Sequence, residues 1–296
     1  PGRVILPLTW SLLPVLLLLS IGGGWLIARD SFLPLERITE AAGSISDGDD
    51  LSARLDLRRG PREMRRLART FDGMFARLET SFLSKKQFTA DASHELRTPV
   101  AVILAECDRA RRKAETKEDF LASINVIEQQ GNKMNTLIEQ LLSLTRIQQG
   151  TEKYPLRVCD LSGFVDACCD EFVPADERGM TLETDIEPGV AAAYNPSLLS
   201  RAMFNLMQNA YKYGREGGNI RVSLCRENGC AVISVKDDGP GIPKAEQEKI
   251  WQRFYRCDTS RAEGGTGLGL SLVREIALVH HARAEVVSEP GKGCDF

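Results

Sequence analysis

The 296-residue sequence is poor in several of the residue types that usually mark a site. It has three histidines and three tryptophans, and aromatic residues make up 6%. Eight cysteines contain no Cys-x-x-Cys and no metal-like Cys/His spacing, which excludes zinc-finger and thioredoxin-type readings. They read as reduced thiols in a cytosolic setting. A net charge of −3 gives no electrostatic footprint for nucleic acid, so no nucleic-acid partner is expected. No Gly-Lys-Ser/Thr follows any glycine run, which excludes a Walker loop. Charged residues at 27% and hydrophobic ones at 43% exclude wholesale disorder, and the length implies two to four units.

One absence is local. Val4 to Ala28 carries no charged residue, a run longer than the roughly 20 residues that span a bilayer. Pro7, Pro14 and Gly22–Gly24 are tolerable in a membrane helix, and Trp10 and Trp25 suit the interfaces. A signal peptide has a shorter apolar core, and no cleavage site is evident, so a transmembrane helix at 1–28 is expected. The chain opens at Pro1 and closes at Phe296 inside a glycine motif, so a fragment of a longer protein is expected, with a missing or shortened last strand.

After this run, Leu35, Ile38, Ala42 and Ile45 recur at helical spacing behind Pro34. Ser46–Arg59 is a Gly/Asp-bearing connector. Met64, Leu67, Phe71, Met74 and Leu78 then recur at three and four. This helix–connector–helix pattern at 29–83, with Pro34 and Glu63 as markers, resembles a HAMP domain, a parallel four-helix bundle of two chains. The second of these helices has no breaker but Gly73 before the next motif, so it is expected to carry motion onward.

That motif is Phe88–Pro99, FTADASHELRTP. Phe88, Ala92, Leu96, Val100, Ile103, Cys107 and Ala110 form one helical stripe. His94 lies about 200° from Ala92 and Leu96, so it faces water, with Glu95 beside it and Thr98 one turn on. Pro99 is expected to break or bend the helix. A polar turn at Lys113–Lys117 leads into a second helix, about Glu118–Gln149, striped by Phe120, Ile124, Ile127, Met134, Ile138 and Leu141. Gly131 weakens this helix, and Leu137, Leu144 and Ile147 widen its stripe. Two helices cannot bury so wide a stripe, and a dimeric four-helix bundle at 84–150 solves that problem.

Beyond Tyr154 short apolar runs (Arg221–Cys225, Ala231–Lys236, Glu285–Ser288) alternate with helices, as in an α/β two-layer sandwich at 151–296. Asn205, Asn209 and Lys212 share one helix face, with Tyr213 beside them, and the chemistry suits phosphate and a hard cation. Asp237 ends a strand before Gly239-Pro240-Gly241, where tight backbone can approach a planar ring. Gly265-Thr266-Gly267-Leu268-Gly269 opens a helix, a ready anion site. The stretch before it is charged and loop-like, so it is not a Rossmann fingerprint.

With HELRTP, NLMQNAYKY, DDGPGIP, WQRFYR and GGTGLGL in this order, the chain resembles the sensor histidine kinases of bacterial two-component systems. Their ATP-binding fold is shared with heat-shock chaperones and type II topoisomerases. The resemblance implies a homodimer at the inner membrane with its HAMP and kinase domains in the cytoplasm. It implies that His94 takes a phosphoryl group from ATP and passes it to an aspartate of a response regulator. Glu95 would orient the imidazole, and Thr98 would help hydrolyse the phospho-regulator. Asn209 would ligate Mg2+. Asn205, Lys212 and Tyr213 would support phosphates and ribose, and Asp237 would read the adenine amine between Gly239 and Gly241. Gly265, Gly267 and Gly269 would hinge a lid at Pro243–Gly264, anchored by Phe254, with Thr266 and Leu268 among the ATP-binding residues and Arg256 or Arg261 near the γ-phosphate. Cys294 stands where the family usually has Thr in a third glycine box. Other expectations weighed are a chaperone-type ATPase clamp, a receptor acting mainly as a phosphatase, and a signalling scaffold.

Overall fold

The structure, a computed structural model, describes residues 14, 16–25, 54–57, 62–113, 116–148, 154–172, 178–257 and 265–296. Two compact units divide it, Pro1–Ala90 and Asp91–Phe296. The expected span at Val4–Ala28 lies largely outside the described residues. Among the described residues no helix is long and apolar enough to cross a membrane, so a transmembrane helix is not shown.

In the first unit, Leu55 and Leu57 of the connector meet Ala68, Phe71 and Phe75 of a long helix, α1 (Arg62–Lys113). The Leu55 amide donates to Asp72 Oδ1 at 2.7 Å, and Arg54 pairs with Glu79. Leu67, Met74 and Leu78 of the expected stripe remain exposed. The preceding amphipathic segment, Leu35–Ile45, lies outside the described residues.

The expected break at Pro99 does not occur: α1 continues through it to Lys113. A proline there removes one amide donor, the partner of the Glu95 carbonyl. The Thr98 hydroxyl donates to the His94 carbonyl at 3.3 Å just before it. Pro99 itself is buried, so packing holds the turn in place.

In the second unit α1 turns into α2 (Lys117–Gln148). Thr116 caps α2 reciprocally with Asp119: the Asp119 amide donates to Thr116 Oγ1 at 3.1 Å, and the Thr116 hydroxyl donates to Asp119 at 2.8 Å. Arg109 donates to Ser123 Oγ at 3.0 Å across the hairpin, fixing its register. Leu137, Leu144 and Ile147 are buried, whereas Phe120, Ile124 and Ile138 are exposed. The widened stripe is thus covered within this chain: Leu137, Leu144 and Ile147 join the core of the C-terminal domain.

That domain runs β1 (Arg157–Asp160), α3 (Leu161–Glu171), β2 (Thr181–Ile186), β3 (Ala191–Tyr194), α4 (Pro196–Tyr213), β4 (Asn219–Glu227), β5 (Cys230–Lys236), a 3-10 turn (Lys249–Trp251), α5 (Gly269–Val279), β6 (Val287–Glu289) and β7 (Gly293–Asp295). Its main sheet has the order β2-β4-β5-β7-β6, and β1 pairs with β3. Among the described residues only β2 and β4 pair in parallel. β4 alternates as a half-buried strand should: Ile220, Val222 and Leu224 face inward. α3 and α4 lie against the sheet, α5 against α4, and α2 against α5.

The placement of α4 matters most for function. Asn195 caps it by accepting from the Leu198 amide at 3.1 Å, with Pro196 at its first turn. The Asn195 amide donates to His280 Nε2 at 2.9 Å, and His280 Nδ1 meets the Ile276 carbonyl at 2.7 Å. This pins the start of α4 to the end of α5. At its other end the Arg178 guanidinium caps the carbonyls of Tyr211, Lys212 and Gly214.

Two substitutions test these local arguments by denaturant unfolding of the whole chain. Asn195→Ala is expected to cost about 1 kcal/mol through the lost cap. Gly131→Ala, where a Cβ meets nothing within 4 Å, is expected to add about 1 kcal/mol.

Candidate nucleotide site and phosphoacceptor helix

The outer face of α4 meets the end of β5 and the start of α5 around one cavity of about 360 Å³. Asn205, Asn209, Lys212, Tyr213, Asp237, Gly241, Arg256, Gly265, Thr266, Gly267 and Gly269 all line it. The opposite face of α4 explains this aim. Leu198, Met203, Leu206, Met207 and Ala210 are buried, so the polar residues between them must face outward. The Asn205 amide donates to the Arg201 carbonyl at 2.7 Å. Lys212 Nζ donates to the Tyr213 hydroxyl at 3.1 Å.

At the other end of the cavity Asp237 is buried, at 4% exposure. Its Oδ1 accepts from the Gly239 amide at 2.9 Å and the Cys294 amide at 3.2 Å. Burial still holds the carboxyl above the usual carboxylate range. Asp238, its neighbour, instead closes the β4 turn by accepting from the Arg215 and Asn219 amides. Ile242, Ile250 and Phe296 make this end apolar. The Ile242 amide donates to Ser288 Oγ at 2.8 Å, tying the loop to β6.

Two loops can close this tightly only with glycine. Gly241 has φ +72°, and a Cβ there would strike the Glu289 carbonyl. Gly267, at φ +68°, would bring one to 2.7 Å from the Phe254 backbone. Gly265 and Gly269 sit over Lys212 Nζ and Asn205 Oδ1, where a Cβ would lie at 2.7 and 2.9 Å. The glycine segment is therefore stacked on the polar ridge of α4. Gly239, Phe254 and Leu268 support the cavity without lining it. Gly239 packs on the Tyr213 carbonyl, the Phe254 amide donates to the Gly267 carbonyl at 2.9 Å, and Leu268 is wholly buried in the core.

Sequence reasoning missed Cys257 and the cavity face of α2, and it noted Cys294 only as the residue in place of Thr in a third glycine box. Cys257 and Cys294 both line the cavity, and burial pushes their thiols up to about 12 and about 11, so both stay protonated at neutral pH. Lys133, Thr136 and Gln140 line it from α2. Their spacing of three and four was visible, but nothing local tells which element a polar stripe faces. Arg261 and most of the tip of the expected lid lie outside the described residues.

His94, Glu95 and Thr98 do not line this cavity. His94 and Thr98 are exposed on α1, and Glu95 is half-buried. His94, Arg97, Thr98, Ala101, Val102 and Ala105 share a shallow open groove along one helix face. Arg109 and Ser123 are level across the hairpin. Counting fifteen residues from each toward the open end brings His94 about level with Ile138 on α2, between the cavity-lining Thr136 and Gln140.

Three family models match in the same order as these parts. Residues 26–80 match the HAMP domain and 84–150 the His Kinase A (phospho-acceptor) domain. Residues 194–296 match the histidine kinase-, DNA gyrase B- and HSP90-like ATPase. The sensor protein CutS of Streptomyces coelicolor is 33% identical over 94% of this chain and 67% of its own length. The chain belongs to the sensor histidine kinases of two-component systems. The sensor histidine kinase RppB of Synechocystis is 37% identical over 73% of this kinase and 49% of its own length. This kinase spans about half to two thirds of the curated relatives it matches. In fold it resembles histidine kinase ThkA, solved with response regulator protein TrrA: TM-score 0.59, 22% identity, 74% of this chain and 62% of that one. The histidine kinase AdeS of Acinetobacter baumannii gives 0.55 at 19% identity, over 68% and 94%.

Denaturant unfolding tests the need for glycine in these loops. Gly229→Ala, at φ +81° with no atom within 4 Å, is expected to cost only the left-handed strain, about 1 kcal/mol. Gly241→Ala adds a clash with main chain and is expected to cost at least about 2 kcal/mol.

Proposed function

We propose that this kinase binds ATP in the cavity between α4 and α5, phosphorylates His94 and passes the phosphoryl group to an aspartate of a response regulator. One observation carries the reading: a single cavity joins a carboxylate at its apolar end to two amides and cations at its other end. An adenine and a triphosphate need those two ends. Asp237 would read the exocyclic amine. Asn205, Lys212, Tyr213 and Arg256 would support ribose and phosphates, with the amides of Gly265–Gly269 at the helix start. Phe254 would anchor the lid. The supporting sequence divisions are 29–83, 84–150 and 151–296.

Mg2+ fits this site on the chemistry of its donors. Among the described residues no group of three His, Cys, Asp or Glu can cage a metal. A hard cation that keeps its waters and shares the nucleotide's phosphates needs only the Asn209 carbonyl. Bound there, it would neutralise phosphate charge.

The phosphoryl step is a displacement at the γ-phosphorus. A bond forms to a ring nitrogen of His94, the bond to the β,γ-bridging oxygen breaks, and ADP leaves with that electron pair. Glu95 accepts the other ring proton's hydrogen bond and so raises the nucleophilicity of the attacking nitrogen. His94 stands outside the cavity in this arrangement, so the ATP-binding domain must swing to bring the two into line. The groove of His94, Thr98 and Val102 would receive the regulator.

Two copies are proposed to assemble through the hairpin. Val100, Leu104, Phe120, Leu121, Ile124 and Ile138 are exposed in one chain, an apolar face that a four-helix bundle buries. Membrane anchorage rests on the uncharged run Val4–Ala28 and the HAMP match that follows it. A second activity is favoured by Thr98, whose hydroxyl lies on the His94 face and is held by the His94 carbonyl. There it would help position the water that hydrolyses phospho-regulator.

Incubation with γ-labelled ATP tests the reading. Wild type should give an acid-labile phosphoprotein, while His94→Gln and Asn209→Ala should lose at least about 100-fold of the label. Label retained in His94→Gln would refute the assignment. Thr98→Ala should keep autophosphorylation and lose phospho-regulator hydrolysis.

A further inference from the structure

The second hairpin helix belongs to the nucleotide cavity. Lys133, Thr136 and Gln140 stand at steps of three and four on α2, so they share one face, and all three line the same cavity as Asn205, Asn209 and Lys212. The contact is specific. Thr266, held between the hinge glycines 265 and 267, donates from its hydroxyl to Gln140 Oε1 at 2.6 Å. Its own Oγ1 also accepts from the Leu268 amide at 3.3 Å. Gln140 thereby holds the lid hinge at the start of α5.

The helix is seated rather than resting loosely. Leu137, Leu144 and Ile147 are buried in the same core as Leu272 and Ile276 of α5. Ser143 Oγ accepts from Arg201, whose carbonyl in turn holds the Asn205 side chain. Gln148 donates to Glu275 Oε1 at 2.9 Å. Ser143 is thus wired through Arg201 to the α4 ridge that faces the cavity, and Gln148 to α5.

The charge is lopsided in a telling way. Among the described residues, Lys133, Lys212 and Arg256 line the cavity against one carboxylate, Asp237. Lys133 is half-buried and forms no ion pair among the described residues. The glycine segment that Gln140 holds sits over Asn205 and Lys212, so α2 approaches the polyphosphate end of the cavity.

We propose that α2 forms a wall of the nucleotide site, with Lys133 contacting the terminal phosphate of a nucleoside triphosphate and Gln140 bracing the lid hinge through Thr266. This rests on the ATP reading above. Nucleotide affinity then depends on the hairpin, and the resting arrangement distinguishes triphosphate from diphosphate through a residue outside the ATP-binding domain.

Calorimetric titration of the full chain with ADP and with a non-hydrolysable ATP analogue tests it. Lys133→Ala should weaken the triphosphate about 10-fold, the worth of one charged hydrogen bond, and ADP less than about 2-fold. Lys133→Arg should restore most of the loss. Gln140→Ala should weaken both nucleotides several-fold, as expected for a hinge brace. Melting without nucleotide should stay unchanged, since Lys133 buries no core. Wild-type triphosphate affinity in Lys133→Ala, with binding lost in Asn209→Ala, would overturn this inference alone. An equal loss of both nucleotides with a lowered melting temperature would also overturn it. A wild-type chain that binds neither nucleotide would overturn the ATP reading with it.

Discussion

The carboxylate of Asp237 organises the C-terminal domain at its most crowded point. A buried carboxyl is costly unless amides meet it, and here two do, from Gly239 and Cys294. Those amides come from the Gly239–Gly241 turn and from strand β7. Their convergence on one oxygen draws the β5 end, the Gly239–Gly241 turn and the β7 strand together. The close approach leaves no room for side chains at Gly239, Gly241 or Gly293, where added Cβ atoms would strike backbone. The base-sized end of the cavity is what remains between these loops, lined by Ile242, Ile250 and Phe296. Trp251 packs edge-on against Phe296 at 6.0 Å and stiffens its floor.

Around this anchor the two ends of α4 are held by unlike devices. Asn195 and His280 fix the first turn, and the Arg178 guanidinium fixes the last. A helix clamped at both ends presents Asn205, Asn209 and Lys212 in one orientation, which suits a site that works by positioning and charge. The α5 start then lies over that ridge, at a separation only glycine permits.

Much of this was legible in the sequence, for reasons that differ by element. The polar ridge of α4 and the exposure of His94 follow from helical spacing alone, because the buried face dictates the other. Strands β4 and β5 announce themselves as apolar runs. β6 is displaced, since Val287–Glu289 forms the strand rather than Glu285–Ser288. β1, β2 and β3 carry weaker runs, with β2 an exposed edge and β3 four residues long. Pro99 misleads because a lost hydrogen bond is a local cost, and the packing that offsets it is tertiary. The stripe of Leu137, Leu144 and Ile147 shows the same limit. Periodicity states which side chains are covered and is silent on what covers them. The α2 residues at the cavity were hidden for that reason, as was Arg178, whose partners lie more than thirty positions away.

Glu275 on α5 accepts from two directions. Gln148 reaches it from the last turn of the hairpin, and Arg253 reaches it at 3.2 Å from the loop that bears Phe254. One carboxylate therefore answers to both the hairpin and the loop that bears Phe254. Both contacts fall on one and the same oxygen, Oε1. Drawing α2 away would leave that oxygen to Arg253 alone, so a shift at the end of the helix would be felt in the same step by the loop that bears Phe254.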